Sequence, residues 1–145
     1  VTVAGYDYYG QAMSEVISTG TTQSTTVNGA KAFYQVSSVY VAGDCGGTIS
    51  VGTTDIIGLP VRVTDAAYIT RAGWNNTLAE NAGTFVAAAT ATATTATGDV
   101  RGTFTPSTVP DGIKRLVIGI LLPAIAVGPN ATRQGALGVN QNLVS

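Results

Sequence analysis

Ala32-Phe33-Tyr34-Gln35-Val36-Ser37-Ser38-Val39-Tyr40-Val41-Ala42 reads as one long β-strand. Phe33, Gln35, Ser37 and Val39 fall on one face. Tyr34, Val36, Ser38 and Tyr40 fall on the other, by the two-residue period of a pleated chain. β-Branched and aromatic residues suit such a surface.

The same pattern extends outward in both directions. Towards the N-terminus, Val1-Thr2-Val3-Ala4, a turn at Gly5 to Gly10, and Ala12 to Ile17 make a hairpin. Asn28-Gly29 carries the signal of a tight turn. Towards the C-terminus, Thr48-Ile49-Ser50-Val51 is expected to be a strand. Asp55 to Val63 makes two extended pieces around Gly58 and Pro60, and the proline confines it to an edge, a bulge or a strand start. Tyr68 to Ala72 fits a strand, and Leu78 to Gly83 fits a helical turn or a loop. Thr84 to Thr97 alternates Ala and Thr and reads as a strand with one close-packing face. Arg101 to Thr105 is short and extended. Ile113 to Leu122 is the most apolar run and is expected to be a central strand buried on both faces.

Short strands separated by turn signals predict an all-β, single-domain antiparallel β-sandwich or jelly-roll-like barrel with flexible terminal arms. Residues 1–127 form the expected sandwich and residues 128–145 a C-terminal arm or edge segment. The chain has no initiator methionine and opens in a strand pattern, so it is expected to be the mature or ordered part of a longer product.

The composition argues against most chemistry. Among 145 residues there is no histidine, one cysteine and 10% charge, against 45% hydrophobic residues. Without histidine, the usual proton shuttle and metal ligand near neutral pH is missing. Cys45 has no base beside it for nucleophilic work and no second cysteine to pair with. Asp7, Glu15, Asp44, Asp55, Asp65, Glu80, Asp99 and Asp111 are scattered, nearly all beside turn residues, where Asp bonds the local backbone. No phosphate-loop or EF-hand spacing occurs. Asn75-Asn76-Thr77 and Asn130-Ala131-Thr132 match the glycosylation tripeptide, which arises readily in a Thr-rich chain. No catalytic residue, cofactor or metal is expected. Seven Lys+Arg against eight Asp+Glu leave no basic surplus for phosphates, so no nucleic-acid partner is expected. The apolar run ending at Pro123 is too short to span a bilayer, so no membrane partner is expected. Arg101, Lys114 and Arg115 are the most organised charges, placed to pair with Asp99 and Asp111 or with a neighbouring subunit. A surface this poor in charge and rich in Thr, Ala and Gly suits packing against other protein.

Four segments carry a resemblance: Thr2 to Asp7 with Gly10 to Glu15; Val51 to Arg62; Arg101 to Pro106 with Pro110 to Leu116; and Gly128 to Arg133. Together they are similar to segments of small virion structural proteins of tailed bacteriophages. The resemblance implies a decoration or cement protein on the outer surface of the capsid head, binding the major capsid protein and neighbouring copies of itself as a homo-oligomer. It implies no catalytic residues. The alternative is a tail, fibre or adhesin-type β-domain that binds a host-surface glycan or protein. On the capsid reading, contacts are expected from Tyr8 and Tyr9, from Ile57 and Leu59, and from the tail at Asn140 and Leu143. Trp74 is either a partly buried anchor or an exposed contact aromatic.

Overall fold

In the computed structural model, residues 1–20, 25–75, 83–89 and 93–121 are described. They form eight strands: β1 (Thr2–Tyr6), β2 (Ala12–Val16), β3 (Gln35–Tyr40), β4 (Ile57–Gly58), β5 (Ile69–Trp74), β6 (Gly83–Val86), β7 (Thr103–Pro106) and β8 (Leu116–Ile120). A single 3₁₀ turn, Ala66–Tyr68, precedes β5 and is capped by the Asp65 carboxylate. The protein is all-β, and every strand pairing is antiparallel. The strands form three small sheets in the orders β2-β1-β3, β4-β7-β6 and β5-β8.

The first sheet follows the sequence closely. Asp7 Oδ1 accepts the N–H groups of Tyr9 (2.8 Å) and Gln11 (2.9 Å), which closes the β1–β2 turn. Gly10 completes it at φ 75°, a conformation glycine adopts without strain. β3 pairs with the other side of β1, with an irregular register between Ala4 and Gly5. Gly5 is required there, because an added Cβ would overlap the Gln35 carbonyl oxygen. Val3 and Met13 are buried beneath this sheet.

The second and third sheets share an apolar core of Leu59, Val63, Ala72 and Phe104, flanked by Phe85, Leu116, Ile118 and Ile120. Backbone bonds beyond the regular ladders widen the second sheet. Leu59 and Val63 donate to the carbonyls of Gly102 and Arg101, and Ala88 and Ala89 donate to those of Val63 and Asp99.

Several expectations are corrected. Thr48–Val51 is not a strand; it lies in a largely exposed stretch that pairs with no strand among the described residues. Asn28-Gly29 does not make a hairpin turn, and Gly29 does not take positive φ. Gly29 instead lies against Glu15, where an added Cβ would come within 2.7 Å of the carboxylate. The Ala/Thr strand stops at Val86. Residues 90–92 lie outside the described set, and Thr94–Thr97 is a turn closed by the Thr97 hydroxyl. The apolar run is not central. Among the described residues β8 pairs with β5 alone, and it is half-buried throughout rather than covered on both faces.

Candidate interaction surface and the buried polar seam

Among the described residues five charged side chains are buried: Asp7, Glu15, Lys31, Asp99 and Arg101. They form a seam between the first and second sheets. Arg101 Nη1 meets Asp7 Oδ2 at 2.8 Å, with both side chains almost fully covered. Asp99 accepts the Arg101 N–H (2.8 Å) and the Ala32 N–H (3.0 Å), tying the strand before β7 to the approach to β3. Glu15 accepts the N–H groups of Ala30 (2.6 Å) and Lys31 (3.2 Å). Lys31 Nζ donates to the carbonyls of Ser14 and Thr94. Arg101 was expected to pair with Asp99 or Asp111 at the surface. It reaches Asp7 instead, and its contact with Asp99 is through the backbone. Lys114 does pair with Asp111, at 3.5 Å and exposed, where solvent screens the pair.

Burial holds the Lys31 pKa below its ordinary 10.5, against the opposing pull of Glu15 and Asp99. Between the depressed folded value and 10.5, the unfolded chain binds more protons than the folded one. Stability contributed by this group therefore rises with pH through that range. The difference in urea stability between wild type and Lys31→Met should climb with pH below 10.5. A difference flat in pH would contradict this.

Above the seam lies an exposed aromatic corner. Tyr8 stands edge-to-face against Tyr9 (5.3 Å between ring centroids) and against Tyr34 (5.8 Å). The Tyr9 hydroxyl donates to the Pro60 carbonyl (2.7 Å), and the Arg101 guanidinium sits 4.8 Å from the Tyr9 ring centroid. Beside the corner is a cleft of about 400 Å³ lined by Phe33, Tyr34, Leu59, Pro60, Asp99 and Arg101, among others. β3 runs on from Tyr34. All six of its residues are exposed, and one of its edges has no partner strand among the described residues. Val36, Val39 and Tyr40 add to the exposed apolar surface begun by Tyr8 and Tyr34.

The expected contact residues separate. Tyr8 and Tyr9 are exposed and meet in the corner. Ile57 is half-buried in β4. Leu59 is corrected: at 4% exposure it belongs to the core, because the chain leaving β4 turns its side chain inward against Phe104 and Val63. Trp74 ends β5 half-buried, with Leu116 across from it on β8. Asn140, Leu143 and the whole segment 128–145 lie outside the described residues. Tyr34, Val36 and Tyr40 were read as strand residues and not as contacts. Their signal was the absence of any charge from Ala32 to Ala42, which leaves neither face with the polar side of a half-buried strand.

Comparison with protein-family models, curated proteins and solved structures returns no match. Among the described residues no cluster of three or more His, Cys, Asp or Glu is placed to hold a metal ion. No helix among them is long and apolar enough to cross a membrane.

Proposed function

We propose that this chain is a non-enzymatic structural protein of a bacteriophage virion. It decorates or cements the outer surface of the capsid by binding the major capsid protein and neighbouring copies of itself. The observation that carries this reading is β3, uncharged, with all six residues exposed and at the edge of its sheet among the described residues. Proteins that stay monomeric blunt such edges with lysine, proline or inward charges. β3 has none of these, and main-chain pairing with a neighbour would satisfy it. The four phage-like segments supply the kind of neighbour.

The test is binding to purified heads that lack this chain. Val36→Lys/Val39→Lys replaces two exposed side chains and leaves the core alone. Losing two buried valines from an interface should weaken head binding by at least about tenfold. Unchanged binding would remove β3 from the contact.

The aromatic corner favours a second reading, a tail, fibre or adhesin-type domain for a host glycan. Exposed tyrosines beside a cleft with polar groups can hold a sugar ring. Saturable binding on a glycan array, lost in Tyr34→Ala, would select this reading.

A further inference from the structure

The loop 107–115, between β7 and β8, ends in the most exposed large apolar side chain among the described residues. Ile113 is 88% exposed, and Val109 nearby is also exposed. Single exposed apolar residues are ordinary, but this one stands on a braced turn. Asp111 Oδ1 accepts the N–H groups of Ile113 (2.9 Å) and Lys114 (2.8 Å), and Gly112 makes the reversal at φ 73°. Those two N–H groups hold the Asp111 carboxyl below its ordinary pKa. The base of the loop is clamped as well. Asn75 donates its N–H to the Arg115 carbonyl (2.8 Å), and its side-chain oxygen accepts the Arg115 N–H (3.2 Å). Asn75 holds φ 50° to do this, a region asparagine tolerates better than most residues.

Ile113 is therefore presented with little ordering left to be done on binding. Lys114 and Arg115 stand next to it, exposed, and Asp111 is the one acid in the loop. The tip thus carries a local positive charge on a chain whose net charge is -1.

We propose that the Ile113 tip is a docking knob for a protein partner, entering an apolar socket rimmed by carboxylates. The proposal rests on the virion reading for the identity of that partner, which is then the major capsid protein. Apolar insertion supplies affinity, and the basic pair supplies orientation and speed of encounter.

The experiment titrates stripped heads with wild type, Ile113→Asp, Ile113→Leu and Lys114→Glu/Arg115→Glu. Melting curves first establish that each variant is folded, as expected for positions this exposed. Ile113→Asp should bind roughly ten- to a hundredfold more weakly, and Ile113→Leu should bind nearly as wild type. The charge reversal should weaken binding and abolish the loss of affinity that wild type shows on raising salt. Wild type binding heads no better than Ile113→Asp would overturn the knob and leave the virion reading standing. Wild type failing to bind heads at all would overturn both. Vesicles of phosphatidylglycerol form a control arm: Ile113-dependent binding there, with none to heads, would overturn the protein socket in favour of a lipid surface.

Discussion

Asp7→Ala is expected to destabilise the fold by about 3–5 kcal/mol, measured by urea unfolding. The reason is burial. Asp7 and Arg101 are 2% and 3% exposed, so removing the carboxylate leaves a guanidinium sealed from water without its counter-charge. Among the described residues Arg101 Nε and Nη2 have no hydrogen-bond partner, which leaves the Tyr9 ring as the remaining contact for the charge. The same substitution deprives Tyr9 and Gln11 of the acceptor that closes the first turn. Adding Arg101→Met to Asp7→Ala should recover part of the loss, because the stranded charge goes with it. A cost under about 1 kcal/mol would mean that the pair behaves as a surface pair and that the seam does not join the two sheets.

Gly5→Val is the second large effect. On strand propensity alone, valine should improve β1. The structure predicts the opposite. A Cβ at position 5 overlaps the Gln35 carbonyl, which is backbone and cannot rotate away. The expected cost is about 3 kcal/mol, at the upper end for overpacking, and it falls on the β1–β3 ladder. Amide exchange should therefore quicken in Gln35–Tyr40 while the Val3–Glu15 pairing of β1 with β2 persists. Uniform acceleration across all three sheets, or none, would contradict the bulge as the cause. If β3 makes the proposed capsid contact, this variant should also bind heads more weakly, as Val36→Lys/Val39→Lys should without loss of fold.

What was legible in the sequence was local. The Asp7–Gly10 turn announces itself through an aspartate that caps nearby N–H groups and a glycine that takes positive φ. The long Tyr/Val strand announces itself through its β-branched and aromatic residues, but its period does not hold: Val36 lies opposite Gly5 and Val39 opposite Val3, so the extra residue Ser37 puts both valines on one face. Asp44, Asp65, Asp99 and Asp111 likewise bond backbone N–H groups within three residues, as their turn settings imply. The seam was illegible because its partners are far apart: Asp7 and Arg101 are separated by 94 positions. A lone arginine before a strand looks the same whether it faces water or an aspartate from the first hairpin. The apolar run at Leu116–Ile120 was misplaced for a related reason. Continuous hydrophobicity signals burial of side chains but not the number of neighbouring strands, and among the described residues β8 has a single partner, β5. Leu59 was misassigned because a two-residue strand is too short for alternation to tell inside from outside. Of the exposed aromatic corner, Tyr8 and Tyr9 were visible from their turn. Tyr34 joins them only through the fold, which carries β3 back along β1.

The most direct measurement is the number of copies of this chain per purified virion, by quantitative gel or mass spectrometry of intact heads. A decorating or cementing protein should be present at a level on the order of the major capsid protein. A count of only a few copies, or none on the head, would contradict the account.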